Sequence, residues 1–165
     1  MITRTARLLL VAGIALFYTL VVFNNLTDFD SNYEFVHHVL SMDSTFPGNH
    51  AMWRAIPSTS IQLVFYVSII AWELVTMVLL WLGAWRLFRA LRQTAASFNA
   101  AKGIAIMALT LSLLMWLVAF LSVGAEWFLM WQSHTWNGQE AAFRMFAVVG
   151  FVLLILLQGE TEAQP

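Results

Sequence analysis

Four stretches of the chain stay apolar for longer than a soluble core element needs, roughly over residues 5–23, 56–85, 103–127 and 141–157. A helix needs about 20 mostly apolar residues to cross the hydrocarbon core of a bilayer, and each stretch meets or approaches that length. The pattern predicts an all-α protein: a polytopic membrane four-helix bundle forming one membrane domain over residues 1–165. A polar loop over residues 24–55 joins the first two spans, and a basic link over residues 86–102 joins the second to the third.

The loop has a periodicity of its own. Tyr33, Val36, Val39 and Leu40 recur at helical spacing, with Asp30 and Ser31 before them and a Pro-Gly-Asn turn after. The spacing predicts a short helix over residues 32–42, lying on the outer membrane surface or over the mouth of the bundle. A connection this long exceeds the usual helix–helix link, and an ordered loop of such size usually carries function. Pro57 is placed for the first turn of the second span, where its missing N–H costs nothing. Asn99 is placed to cap the third. The run WLGAWRLFRALRQ should lie along an anionic inner leaflet, and the polar tail GETEAQP should fray.

Composition sharpens the membrane reading. Hydrophobic residues make up 61% of the chain and charged residues only 10%, against about a quarter charged in soluble domains. The net charge of −1 argues for no nucleic-acid partner. Distribution says more than the total. Arg4, Arg7, Arg86, Arg89, Arg92 and Lys102 flank the spans on one side, and Arg54 and Arg144 fall on the other. The positive-inside rule then makes both termini and the 86–102 link cytoplasmic. Residues 24–55 and 128–140 face outward. Trp53, Trp131 and Trp136 match an outer aromatic belt, and Trp81 with Trp85 an inner one. No small-residue cleavage site follows the first apolar stretch, so it is expected to be retained as a span. Absence of cysteine excludes disulfides, thiolate metal sites and cysteine nucleophiles.

The loop pattern NNLTDFDSN…FVHHVLSMD…F, the following WRAI and the WELV of the second span resemble a bacterial family of predicted small integral membrane proteins with four transmembrane spans. The resemblance covers essentially the whole chain. It implies a bacterial inner (cytoplasmic) membrane location and carries no chemistry with it.

Charge inside the spans raises the functional question. Glu73 sits in SIIAWELVTMV, and an acid at that depth should face the bundle interior. By helix rise it lies roughly 20 Å from the inner surface, and Arg144 on the fourth span lies roughly 21 Å from it. The matching heights predict a Glu73–Arg144 ion pair. Glu126, closer to the outer interface, either serves the same guanidinium as a second carboxylate or faces water. Thr59, Gln62, Tyr66, Glu73 and Thr76 share one stripe of the second span, with Tyr18 near enough on the first to donate a hydrogen bond. Ser112, Met115, Ala119, Ser122 and Glu126 make a comparable stripe on the third span. Glu140, Arg144, Phe151 and Gln158 share a side of the fourth. A neutralising arginine favours an inter-helix lock over a proton relay.

The remaining candidates lie in the outer loop. Glu34, His37, His38, Asp43 and His50 offer a docking surface or a weak metal site, and Glu34 and His38 share a helix face. His37 and His38 diverge by about 100° on a helix, and no recognised metal-ligand spacing is present. Surface or capping histidines are the simpler reading, and no metal is expected. No histidine lies within a span, which excludes haem ligation between helices. Ser41, Ser44 and Ser58 lack a nucleophile motif, and the paired-histidine zinc motifs are absent. No cofactor is expected, although a Trp- and Met-rich groove leaves quinone or lipid contact open. The chain reads as a non-enzyme, an accessory or structural subunit among other membrane-protein subunits. The alternative is a small stand-alone transporter or channel using Glu73. A third reading is a quinone-linked or metal-binding electron-transfer subunit.

Overall fold

The computed structural model describes residues 1–160, and all regular structure among them is helical. Helix α1 covers Ile2–Thr27, α2 Phe29–Ser41, α3 Thr59–Ala90, α4 Ala95–Ala101 and α5 Gly103–Leu114. The chain continues from α5 as a π-helix over Met115–Trp127, and α6 covers Gln139–Leu157. Four helices are long and apolar enough to cross a membrane: Ile2–Thr27, Thr59–Ala90, Ala95–Trp127 and Gln139–Leu157. The all-α bundle expected from the apolar runs is therefore the fold, and the loop between the first two spans contains the helix α2.

Each spanning helix buries one stripe and exposes the rest. On α3 the buried positions are Gln62, Tyr66, Ile70, Glu73, Thr76, Leu80, Gly83, Ala84, Leu87 and Ala90, a three-and-four spacing that follows one face. Between them Val64, Trp72, Val75, Val78 and Leu82 are exposed and apolar, as a lipid-facing surface requires. Lipid tails are as apolar as leucine, so packing and polar bonds must hold such helices together. Around the bundle α3 packs against α1 and α5, while α6 packs against α5, its π-helical continuation and α1. Helices α3 and α6 thus stand diagonally.

The bundle has two unlike halves. Between mid-height and the charged end where α1 begins and α6 finishes, the axis is dry: Val11, Leu80, Leu87, Ala105, Ala108 and Leu109 are fully buried there. Helices α3 and α5 approach tightly at Gly83, where an added Cβ would lie 2.8 Å from the Cα, N and Cβ of Ala105. Near mid-height Tyr18 Oη meets Ser112 Oγ at 2.7 Å in a buried hydrogen bond. Tyr18→Phe should lower stability by about 1 kcal/mol or somewhat more, because Ser112 is left without its partner. The double variant Tyr18→Phe/Ser112→Ala should recover part of that loss in thermal melts of the detergent-solubilised protein. Equal melting of the two variants would show that the bond contributes nothing beyond its shape.

At the terminal end the helices are tied by charge. Arg7 donates from Nη1 to Glu160 Oε1 at 2.7 Å and from Nε to the Ile155 carbonyl at 3.1 Å. Arg4 Nε also bonds Glu160, and Arg4 Nη1 reaches the Leu91 and Gln93 carbonyls. Lys102 Nζ bonds the Gln158 carbonyl at 2.7 Å and Asn99 Oδ1 at 2.8 Å. Fraying was expected from Gly159 onward. Residues 161–165 lie outside the described residues, but Glu160 is held, because its carboxylate meets two arginines. Its backbone is held too, exchanging bonds of 3.0 and 3.1 Å with the Asn99 side chain.

Asn99 is therefore not the cap of the third span. Thr94 is the cap of α4, its hydroxyl accepting from the Ser97 N–H at 3.2 Å. Pro57 likewise lies outside α3, which starts after Ser58.

The π-helix changes the third span most. It begins at Met115, and Ser122 Oγ bonds the Leu117 carbonyl five residues back. The wider winding rotates later residues off the 100° step assumed for an α-helix. Ser112 and Met115 are buried and Ala119 partly so, but Ser122 and Glu126 are exposed. The third-span stripe read from the sequence therefore holds for its first half only.

Candidate functional site

Helix α1 ends at Asp28, whose backbone (φ −127°, ψ 53°) breaks the helical path. The chain then turns back as α2 across the mouth of the bundle. Its apolar residues Val39 and Leu40 pack with Met42, Ala125, Phe128 and Met130. The long loop after α2 is itself ordered. The Ile56 N–H bonds the Leu40 carbonyl at 2.8 Å, Gln132 Oε1 accepts from the Phe46 N–H at 3.1 Å, and Ser44 Oγ bonds Ser133 Oγ at 2.9 Å. Arg54 lies over the rings of Trp53 and Trp127, 5.3 and 4.9 Å from their centroids.

Beneath α2 the polar stripe of α3 is buried in a chain of hydrogen bonds. Gln62 is fully buried. Its Nε2 donates to the Ile56 carbonyl at 2.7 Å, and its Oε1 accepts from Tyr33 Oη at 3.2 Å and faces His37 Nδ1 at 2.8 Å. With the Gln62 amide nitrogen committed to a carbonyl, the oxygen must accept, so His37 Nδ1 carries the proton in this contact. One turn further in, Tyr66 Oη donates to Asn25 Oδ1 at 3.3 Å, and Asn25 Nδ2 donates to Glu73 Oε2 at 2.6 Å. Tyr66 packs edge-on against Phe29 at 4.8 Å. Glu73 is only 4% exposed, and below it the Thr76 hydroxyl is buried without a hydrogen-bond partner among the described residues.

Two adjoining cavities lie beneath α2, one of them against this network. One, of about 210 Å³, is lined by Asn25, Asn32, Tyr66 and Glu73 on its polar side and by Val21, Phe35, Val36, Ile69 and Phe120 elsewhere. The other, of about 230 Å³, is apolar and is walled by α2, α3 and the π-helix, with Val39, Leu40, Phe65, Val118, Val123 and Phe128 in its lining. Phe35, Val36, Ile69 and Phe120 line both. A water needs only about 10–15 Å³, so each cavity is much larger than a solvent site. The π-helical segment bears on one wall, a rare winding that is frequent at functional sites when it occurs as a short bulge.

Several expectations need correction here. Glu73 and Arg144 do not pair: Glu73 is bonded to Asn25, and Arg144 is exposed on α6. Matching heights along the axis left the order of helices around it open, and α3 and α6 are diagonal. Glu140, Arg144, Phe151 and Gln158 do share a side, but it is the exposed one. Glu126 is exposed at the end of the π-helix and joins neither residue. Gln62, Tyr66 and Thr76 are placed with Glu73 on the buried stripe. Tyr18 lies on the α1 stripe but bonds Ser112, not this cluster.

The residue that sequence reasoning missed is Asn25. It continues the buried α1 series Tyr18, Val22 and Asn25, and that spacing was the available signal.

The loop histidines form a separate group. His38 stands between two carboxylates, with Nδ1 2.8 Å from Asp43 Oδ2 and Nε2 3.4 Å from Glu34 Oε2, and its ring stacks on Trp136. Ligand atoms of His37, His38 and Asp43 lie within 4.8 Å of one another, so these three are the residues that could hold a metal. The Gln62 bond occupies His37 Nδ1 and the Asp43 contact His38 Nδ1, which leaves the Nε2 atom of His37 without a partner among the described residues. His50 is exposed and stands outside that group.

A family described as predicted small integral membrane protein matches this chain over residues 3–159. No curated protein and no solved structure matches it significantly.

Proposed function

The chain belongs to the DUF2165 family of predicted small integral membrane proteins, and from that premise we propose that it acts as a binding subunit rather than a catalyst or conduit. In this reading it is an accessory component of a larger bacterial inner-membrane assembly. Both termini are cytoplasmic, by the arginine distribution, and α2 lies at the outer surface. The chamber beneath α2 is its working part.

The observation that carries this reading is the way the polar network stops. From Gln62 through Asn25 and Glu73 the axis is polar, but past Thr76 the buried residues are Leu80, Gly83, Ala84 and Leu87. Ala105, Ala108 and Leu109 close the same level from α5. A transport path needs polar groups or water along its length, and between Thr76 and the charged cluster of Arg7, Lys102 and Glu160 this axis is lined by apolar side chains. A site open at one end and sealed at the other suits holding a molecule.

The stand-alone transporter using Glu73 is the competing reading, favoured by an acid buried beside a cavity. Native purification at endogenous expression should return the protein with other membrane subunits. Proteoliposomes of the pure protein should show no proton or cation flux above protein-free vesicles. A monodisperse lone protein in mild detergent would overturn the subunit reading. A flux lost in Glu73→Gln would overturn the sealed-site reading.

A further inference from the structure

We propose that the chamber beneath α2 binds a membrane-dissolved amphiphile with a protonated amine headgroup, seated with its amine on Glu73 and its apolar chain in the neighbouring pouch. The proposal deepens the reading of the chamber as a binding site and rests on it.

The acid is the first part of the argument. Glu73 is 4% exposed and lines the cavity wall. Among the described residues it forms no ion pair, and Asn25 is its one hydrogen-bond partner, on Oε2. A buried carboxylate is normally paired with a cation or held by several hydrogen bonds. Here Oε1 lacks both, and the residue lines a space large enough for a small molecule.

Donors and acceptors at this end decide the chemical class. The Asn25 amide nitrogen gives one N–H to Glu73, and its oxygen accepts from Tyr66. Gln62 is committed at both its nitrogen and its oxygen. The group left without a charge partner is the Glu73 carboxylate, whose Oε1 has no donor, so an occupant seated on it must bring donors. An ammonium brings up to three and also supplies the missing positive charge. A neutral carbonyl headgroup, such as that of an oxidised quinone, brings none.

The pouch decides the rest of the molecule. Its lining is almost wholly apolar, from Phe35, Val39 and Leu40 to Val123 and Phe128. Phe65 and Val118, which also line it, are 41% and 45% exposed on the flanks of α3 and the π-helix. The pouch therefore borders the lipid-facing surface on its side, and an occupant enters from the bilayer. The rings of Phe35 and Phe120 at the junction, and of Tyr66 on the polar side, add the attraction of a ring face for a cation.

The test uses the full chain in zwitterionic nanodiscs, with octylamine, octanol and octanoate titrated by calorimetry against empty nanodiscs. Octylamine should bind saturably at one site, about tenfold or more tighter than octanol, and octanoate should not bind. Glu73→Gln keeps an acceptor for Asn25 and should remove the preference, weakening octylamine about tenfold while leaving octanol unchanged. Glu73→Asp keeps the charge and should keep the preference. Val36→Trp, on the partly exposed face of α2, fills the junction and should abolish binding of both, so the chamber can be tested even if the Glu73 variants fold poorly.

Octanol binding as tightly as octylamine, or a preference that survives Glu73→Gln, would overturn the amine while the chamber stands as a binding site. Absence of saturable binding by any of the three would overturn both.

Discussion

Replacing Gly83 with leucine should cost the protein its stable fold. The added Cβ alone would stand 2.8 Å from three atoms of Ala105, two of them backbone. Backbone cannot rotate away as a side-chain tip can, so α3 and α5 must separate. Separation undoes the packing of Leu80, Ala84 and Leu87 against Ala105, Ala108 and Leu109. Overpacking usually costs about 1–3 kcal/mol and occasionally more, and this site belongs at or above the top of that range. Melting in detergent should fall by roughly 10 °C for a chain of this size, or the protein should fail to accumulate. Even alanine at this position should destabilise measurably. Gly13 is the control, since an added Cβ there meets nothing within 4 Å. Gly13→Ala should be neutral or stabilise by up to about 1 kcal/mol, the usual gain in a helix interior. If Gly83→Leu melts like wild type, the close approach of α3 and α5 is not a determinant of the bundle.

The second large effect is expected at the terminal end. Arg7→Leu removes the bonds to Glu160 and to the Ile155 carbonyl, which together tie α1 to the end of α6. Breaking a buried pair from one side costs about 3–5 kcal/mol. Arg4 continues to hold Glu160, which places this loss toward the lower end. The same site should respond to acid. Burial by itself would raise the Glu160 pKa, but the hydrogen bond from Arg4 and the charges of Arg4, Arg7 and Lys102 outweigh it and hold the carboxyl below its usual range. A depressed folded pKa means stabilisation that is fully present above the ordinary glutamate value of about 4.3. It is lost as pH falls through the lowered folded value. Wild-type melting temperature should therefore drop on acidification below about pH 4, and Glu160→Gln should start lower at neutral pH and lose less on the same descent. Parallel descents for the two proteins would show that the acid response comes from other carboxylates.

These two sites were unequally visible in the chain. Gly83 lies in an apolar run among other small residues, and nothing in the run tells which of them meets a neighbour. Arg7 was visible as a basic flank, and by charge distribution alone it belonged with the topology signal. Its partner was missed because a polar tail reads as frayed when local pattern is all there is. Glu160 is ordered by arginines 156 and 153 residues away in the chain, a distance no window reaches. At the chamber, the stripe of Gln62, Tyr66, Glu73 and Thr76 was legible because helical periodicity is a local property. Its partner Asn25 was not, because the apolar run ends at residue 23 and leaves Asn25 in the polar loop, whereas α1 continues to Thr27 with Asn25 on its buried face.

What the sequence determined by itself is the solvent and the elements. Apolar length requires four spanning helices. A lone acid at mid-span requires an interior face, and the pattern through Tyr33 and Leu40 requires a helix in the long loop. These follow from bilayer thickness, desolvation and the helical repeat, all of which act over a few turns of chain. Only the tertiary structure decided which helices are neighbours, and with that Glu73's bond to Asn25 in place of Arg144. It also decided the π-helical winding that turns Glu126 outward, and the chamber that α2 closes over. Neighbour order depends on close contacts such as Gly83 on Ala105, made between residues distant in sequence. Their energies belong to pairs of surfaces, and one surface read alone does not contain them.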